Sequence, residues 1–405
     1  MRLLVLSDNF VPEQNAPALR TYEHCKRWVE DGISVTVITS VPNFPTGIPQ
    51  APYRNRLYQR EIIDGIEIIR VWTFMAANQG VVLRMVDFAS FGITSFIAGL
   101  FQKADVIMAT SPQLLTAFSG HLLTRVKRIP WVFEVRDLWP DSIIEVGAMR
   151  QGFVIRLLER LEKAFYKSAA RIVALTEPMR ARIAESVPAE KIAVVANGAN
   201  FSRLVPRERD EAFAAHWALE GKFVVGYVGT HGLAQGLKVM VHAASILRET
   251  DVHFLFVGEG ARRQAQIDLA AKLNIHNVRF IGMVAAHEAP DYLALSDAVV
   301  VPLKKLAISE AALPSKIFEA AAMERPILLG VGGIAANLIR KYDAGLVFEP
   351  EDPQSLADAI VKLRDDPQLR ARLREGCRAL ARDYDRKNLA DRMLAEIRSV
   401  VAKTL

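Results

Sequence analysis

The chain has almost no cysteine. Cys25 and Cys377 are the only two in 405 residues. Each sits in a helical pattern far from the other, which argues against a disulfide framework and a thiolate-held metal and fits a reducing compartment. Apolar runs of about 18 residues, long enough to span a bilayer, are also missing. Residues 81–101 come nearest, and Arg84 and Asp87 break them. The opening Met1-Arg-Leu-Leu-Val-Leu-Ser-Asp8 is too short for a signal peptide and lacks a small-residue cleavage site, so it reads as a first buried strand. Zinc-finger spacing and an aromatic-bearing RNA-binding signature are absent, and the basic residues are scattered. The net charge of +6 and pI near 9.3 therefore point to phosphorylated small molecules or acidic membrane surfaces rather than nucleic acid.

What is there is an ordinary globular composition, 51% hydrophobic and 24% charged, in a chain longer than one core usually organises. That length predicts two domains of about 200 residues each. Short Val/Ile/Leu-rich runs alternate with longer helical patterns, as in parallel sheets built from βαβ units. Strands are predicted at 3–6, 34–39, 65–71, 106–110, 131–134, 171–174 and 192–195, with helices such as 18–30, 113–125 and 153–168 between them. The pattern lapses over residues 197–221 and restarts with Phe223-Val-Val-Gly-Tyr-Val-Gly229. Further strands follow at 253–257, 278–280, 298–301, 327–329 and 346–348. The expectation is an α/β chain of two Rossmann-like doubly wound domains, residues 1–197 and 198–385. They would face a central cleft lined by the loops at the carboxyl ends of their strands. Residues 386–405 carry a helix expected to fold back on the first domain.

Three loops stand out. Gly229-Thr-His-Gly-Leu-Ala-Gln-Gly236 follows a strand and opens a helix, where backbone amides and the helix dipole can hold a phosphate. A tight β-to-α turn would use the same glycines. Leu313-Pro-Ser-Lys-Ile-Phe-Glu319 places Pro314 at a helix start, Ser315 and Lys316 beside free amides, and Glu319 one turn on. That face suits a diphosphate and ribose hydroxyls, and equally an amphipathic helix with a solvated Lys/Glu pair. Glu134-Val-Arg-Asp-Leu-Trp-Pro-Asp141 ends a strand with a charged pair. Arg136 and Asp137 are candidates for stabilising a leaving phosphate and binding a sugar, or Asp137 caps a helix. His121 and His287 read as surface or loop residues, while His231 gains weight from its glycine-rich loop. No histidine forms a metal-ligand cluster, and Asp383-Tyr-Asp385 reads as turn and cap chemistry rather than a metal motif.

Taken in order, these segments resemble a known family. Pro-Ser-Lys-x-x-Glu-Ala after Ala298-Val-Val-Val-Pro302 is similar to the donor-binding region of retaining family 4 glycosyltransferases of the GT-B fold. Pro12-Glu-Gln-Asn-Ala-Pro-Ala-Leu-Arg20, Thr110-Ser-Pro112, Val195-Ala-Asn-Gly198, Gly258-Glu-Gly260 and Val278-Arg-Phe-Ile-Gly282 continue the series over nearly the whole chain. Asp137-Leu-Trp-Pro with the 229–236 loop resembles the branch similar to bacterial N-acetylfucosaminyltransferases of surface-polysaccharide synthesis.

The resemblance implies a cytoplasmic enzyme, peripheral on the inner face of the membrane. It would move a sugar from a nucleotide diphosphate donor, UDP above others, to a polyprenyl-diphosphate-linked saccharide of O-antigen or capsule, with retention and without a metal or other cofactor. Catalytic roles would fall to Asp137 and Arg136. The donor would meet Glu319, Lys316, Ser315, Gly229, His231, Gly232, Gln235, Glu259 and Asn197, and the acceptor Asn15, Arg20 and Trp139. The family's E-x7-E pattern keeps its last Glu as Glu319, but its first falls on Ala311, with Glu310 one residue off. The usual loop cations appear as Thr230 and Gln235, which leaves Lys316 to carry the diphosphate, with Arg262, Arg263 or Lys238 as helpers. Residues 80–103 would lie in a bilayer interface with Arg84 and Lys103 at the headgroups, or form a core helix. Two rivals are a sugar-nucleotide 2-epimerase and a catalytically silent partner in a polysaccharide assembly complex.

Overall fold

The computed structural model describes residues 1–13, 15–44, 46–75, 81–111, 114–145, 152–201 and 204–402. The chain divides into two compact units, Met1–Asn197 with Arg386–Leu405, and Gly198–Asp385.

Unit 1 is built on eight strands, β1 (Arg2–Leu6), β2 (Ser34–Ser40), β3 (Tyr58–Ile63), β4 (Ile66–Val71), β5 (Val106–Thr110), β6 (Trp131–Val135), β7 (Arg171–Ala174) and β8 (Ile192–Val194). Their order is β3-β4-β2-β1-β5-β6-β7-β8, parallel except where β3 runs antiparallel to β4. Every residue of β5 and β6 is buried, as expected of parallel strands covered by helices on both faces. The sequence reading did not anticipate β3. Its alternation of exposed and half-buried residues belongs to a sheet edge, without the apolar run that marks the inner strands. Arg70 of β4, itself buried, donates to Glu61 of β3 at 2.5 Å and holds this edge in place.

Trp131, Phe133, Phe91 and Phe165 fill one face of the sheet. On the other face Trp28 and Phe10 pack with Leu389, Met393 and Ile397. The latter three come from the helix Arg386–Ala402, which is fastened to the helix Ala16–Glu30 by Trp28 Nε1 donating to the Ala390 carbonyl at 2.9 Å and by Arg27 with Asp391 at 2.8 Å.

The helix Val81–Leu100 is long and apolar enough to cross a membrane by length and composition, with 33% of its stretch Leu83–Leu100 buried. Phe88, Phe91 and Ser95 face the core, and Ser95 Oγ meets Ser119 Oγ at 2.8 Å across the neighbouring helix Leu114–Lys127. Leu83, Val86, Ile93 and Ile97 face outward, followed by Phe101. The helix therefore serves both as core and as an apolar surface. Gly80 and the side chains of Val81 and Val82 lie outside the described residues, as do Gln14, Pro112 and Gln113 among the segments singled out in the sequence.

Unit 2 carries β9 (Phe223–Val228), β10 (Val252–Val257), β11 (Val278–Ile281), β12 (Ala298–Pro302), β13 (Ile327–Gly330) and β14 (Gly345–Val347). The order β11-β10-β9-β12-β13-β14 is wholly parallel and is that of a dinucleotide-type Rossmann sheet, reversing direction between β9 and β12. Loops leaving the carboxyl ends of those two strands are where such a sheet binds ligands. Asp383 ends the helix Pro367–Asp383 and accepts the Tyr342 hydroxyl, and Asp385 bridges to Ala199, so the Asp-x-Asp string sits in a turn.

Candidate functional site

In unit 2 the two loops beside the β9/β12 reversal converge on one spot. The helix Ser315–Ala322 follows Pro314 at its N-cap position, and no side chain caps it. Lys316 stands in its first turn, where a cation opposes the helix dipole. Such an end invites an anion. The Lys316 stem lies across Gly229, the first residue after β9: a methyl group on Gly229 would come within 2.4 Å of Lys316 Cε and 2.6 Å of Nζ. Glycine there, at φ +142°, is what lets the ammonium lie against the loop backbone. The same ammonium sits 5.3 Å from the centre of the Tyr227 ring. Burial opposes its charge, yet Tyr227 and Glu319 outweigh burial, and the pKa is raised above the ordinary Lys range. Glu319 acts on Lys316 through its charge alone, with no carboxylate among the described residues within 4.0 Å.

The loop itself is tightly held. Gly258, at φ +128°, lets the turn after β10 press on the turn after β9, since a methyl there would stand 2.1 Å from the Gly229 carbonyl oxygen. His231 N donates to the Glu259 carbonyl at 2.8 Å, and Arg262 N donates to the His231 carbonyl at 2.9 Å. The His231 ring is fully buried against Tyr227 and Phe256, with Nδ1 2.8 Å from Gln266 Oε1 and Nε2 sealed without a partner. Burial holds its pKa below the usual value, so the imidazole is neutral at neutral pH. Gln235 folds back over Gly232, and Lys304 N, just past β12, donates to the Ala234 carbonyl at 2.9 Å. Glu259 is exposed and lies 3.4 Å from Arg263.

Gly229, His231, Gly232, Gln235, Glu259, Ser315, Lys316 and Glu319 therefore gather on the loops and the helix around this one edge of unit 2. Tyr227 and Gln266 were not anticipated, because an aromatic inside a strand and a Gln inside a helix carry no pattern of their own. Glu310, one position from the family's carboxylate, has its backbone carbonyl 2.0 Å from where a Gly333 Cβ would stand, at the uncapped start of the helix Gly333–Tyr342. The pair Gly332-Gly333 after β13, not singled out in the sequence, is the pattern that could have pointed to that contact.

In unit 1 the sheet reverses between β1 and β5, and the charged residues expected there divide into two groups. Arg20 does not offer itself to an acceptor, which corrects the expectation. It is 1% exposed, pairs with equally buried Glu134 at 2.9 Å, and donates to the Ala196 and Val195 carbonyls. Its size and charge are used inside the fold. Asn15 is corrected likewise: it caps the helix Ala16–Glu30 by accepting from Ala18 N at 2.9 Å, and its amide donates to Asn9 and Glu13. Asn197, expected with the donor residues, is buried beside Arg20 as the last residue of the first segment of unit 1.

Arg136 keeps its place at the end of β6. Its amide donates to Ser111 Oγ at 2.7 Å and its guanidinium to the Pro17 carbonyl at 3.3 Å, while Nε is sealed and unpartnered. Burial, with Arg20 and Arg386 nearby, lowers its pKa to about 10 despite Glu134. Asp137 does not cap the short helix Asp141–Glu145, which starts four residues later. Trp139 is half-buried, edge-on to Phe88 at 6.2 Å. One carboxyl was not foreseen: Asp8, just past β1, has its pKa raised to about 8 by burial and by the charges of Asp87 and Glu13. A carboxyl tuned to neutrality at a sheet reversal belongs to a functional site more often than to a packing role. Among the described residues no group of three or more His, Cys, Asp or Glu is arranged to hold a metal.

Comparison with known proteins accords with this geometry. Residues 15–198 match the family described as glycosyl transferase 4-like domain, and residues 208–379 match glycosyl transferases group 1. The putative colanic acid biosynthesis glycosyl transferase WcaI of Escherichia coli K12 is 24% identical over 98% of this chain and 100% of its own. Sucrose-phosphate synthase from Thermosynechococcus elongatus superposes with a TM-score of 0.81 at 17% identity, covering 100% of both chains. Anabaena HepE in complex with UDP-glucose gives 0.74 at 17% identity, covering 98% of this chain and 100% of that one. The chain is a glycosyltransferase of the GT-B fold, made of a 4-like domain followed by a group 1 domain.

Proposed function

We propose that the chain transfers a sugar from a nucleotide diphosphate donor, UDP-linked, to a lipid-linked saccharide in the synthesis of a bacterial surface polysaccharide, with retention of configuration and without a metal. The observation that carries the donor reading is Lys316, fully charged, laid over Gly229 at an uncapped helix start. Departure of a nucleoside diphosphate develops negative charge, and an ammonium with free amides already in position stabilises it without reorganising. Glu319, one turn along the same helix, would accept from ribose hydroxyls. The loop 229–236, pinned by Glu259, Arg262 and Lys304, presents its amides to the phosphates. The uridine nucleotide is supported by HepE, solved with UDP-glucose, and the pathway class by WcaI.

Unit 1 would bind the acceptor, with Arg136 and Asp137 at the end of β6 serving the reacting groups and Trp139 the saccharide. The outward apolar face of Val81–Leu100, flanked by exposed Arg84 and by Lys103, suits the interface of an anionic bilayer and a peripheral place on the cytoplasmic side of the membrane. A thermal-shift series with UDP, GDP, ADP and CMP in metal-free buffer tests the donor reading. UDP alone should stabilise the protein, and Lys316→Ala and Glu319→Ala should abolish the shift. Equal response to all four nucleotides, or none, refutes it.

A further inference from the structure

A second cluster of cations lies at the amino-terminal ends of the unit 2 strands, away from the loops described above. Arg325 precedes β13, Asp297 precedes β12, and Arg370, Arg374 and Arg378 project from the helix Pro367–Asp383. Together they line a cavity of about 340 Å³, within the range of small-molecule pockets.

Guanidiniums outnumber carboxylates in this cavity, and Asp297 acts on Arg325 and Arg370 only through its charge. Arg325 is 8% exposed; one guanidinium nitrogen donates to the Arg207 carbonyl at 2.7 Å, while Nε is sealed and has no partner. Arg370 donates to the Leu363 and Arg364 carbonyls and lies over the Phe223 ring at 5.7 Å. Among the described residues no carboxylate lies within 4.0 Å of Arg325 or Arg370, and Arg374 reaches only the exposed Glu208, at 4.0 Å. Arg378 is satisfied by Glu324 and Glu375. The remaining carboxylate of the lining, Asp297, accepts from Val224 N at 2.7 Å and lies 3.7 Å from Arg209, outside the cavity. Four guanidiniums thus line the space with two carboxylates, Asp297 and Glu375, both already engaged.

Guanidiniums that line one space are best matched by an oxyanion whose geometry fits their planar fork. We propose that this cavity is a phosphate-binding site, separate from the donor site, which takes a small phosphorylated molecule through its phosphate or diphosphate group. Arg325 gives the wall its buried positive charge, and Arg370 and Arg374 close on the anion from the helix.

The test uses the full-length chain carrying Lys316→Ala, which removes the cation of the donor site, and isothermal titration with inorganic phosphate and with pyrophosphate. Saturable binding of at least one is expected, weakened at least about tenfold, one decade of affinity, by Arg374→Gln. Arg374 is half-exposed and can change without unfolding the unit, and Arg325→Gln should act in the same direction. Tighter binding of pyrophosphate identifies a diphosphate-bearing ligand, and tighter binding of phosphate a monophosphate. No saturable binding of either anion, or binding that Arg374→Gln leaves unchanged, overturns the proposal. Neither result bears on the UDP reading, since Lys316 is absent from the test.

Discussion

Replacing Gly229 by alanine should disable the donor site through Lys316. The added methyl would lie 2.4 Å from Lys316 Cε, and carbon atoms need about 3.5 Å. The lysine stem must then retreat by about 1 Å, the scale on which a charge-assisted hydrogen bond is lost. Bonds to charged groups are worth about 1.5–3 kcal/mol, which corresponds to about 10- to 150-fold in Kd for UDP. The backbone at φ +142° adds about 1–3 kcal/mol of strain for a residue with a Cβ, to be read separately by urea unfolding. The assay is calorimetric titration of UDP into wild type, Gly229→Ala, Lys316→Ala and the double variant. If the methyl acts by displacing Lys316, the double variant binds UDP no more weakly than Lys316→Ala, because the same contact cannot be lost twice. Wild-type affinity in Gly229→Ala, or losses that multiply in the double variant, would refute the reasoning.

Three other outcomes follow from the geometry of unit 1. Glu134→Gln leaves Arg20 buried with its carboxylate partner gone, and urea unfolding should show a loss of about 3–5 kcal/mol. A change below 1 kcal/mol would mean that Arg20 rests on the Ala196 and Val195 carbonyls alone. Asp8 keeps its proton in the folded state up to a pKa of about 8 but loses it in the ordinary carboxylate range when unfolded. Its contribution to stability is therefore complete at acidic pH, declines as pH rises and is gone above about 8. Asp8→Asn should flatten the fall in urea midpoint between acidic and mildly alkaline pH, and an unchanged slope counts against the raised pKa. Ile93→Asp with Ile97→Asp places two charges on the outward face of Val81–Leu100, and sedimentation with vesicles containing anionic lipid should fall severalfold while the circular dichroism spectrum stays the same. Undiminished vesicle binding would remove this helix as the membrane contact.

The inner strands were legible in the sequence because parallel sheets demand continuous apolar runs, and the runs at 106–110 and 171–174 are reproduced as β5 and β7. The edge strand β3 was not, since half its residues face solvent and its sequence Tyr-Gln-Arg-Glu-Ile-Ile has no such run. The loops after β9 and β10 were readable for a related reason: where backbone must approach backbone, as at Gly229 and Gly258, only glycine serves, and it leaves a visible spacing. Polar side chains at the start of a helix are harder to read. Asn15 and Arg20 have the chemistry of ligand contacts, but whether such a group caps its own helix, pairs with a distant Glu134 or faces a substrate depends on burial, which one sequence does not display. Asp8 escaped notice because its perturbation comes from Asp87 and Glu13 together with burial, none of them its neighbours in a pattern.

The helix Arg386–Ala402 is the last part of unit 1 to be synthesised, although it completes the layer over Trp28, Val132 and Val173. On the ribosome, every residue of unit 2 emerges before Leu389, Met393 and Ile397 are available, so the first 197 residues wait with that apolar face bare. Unit 2, contiguous in sequence, needs no such delay. The order of birth and the order of completion are thus reversed: the domain begun first is finished last, and its open face during that interval is where a chaperone would be needed or an aggregate would start.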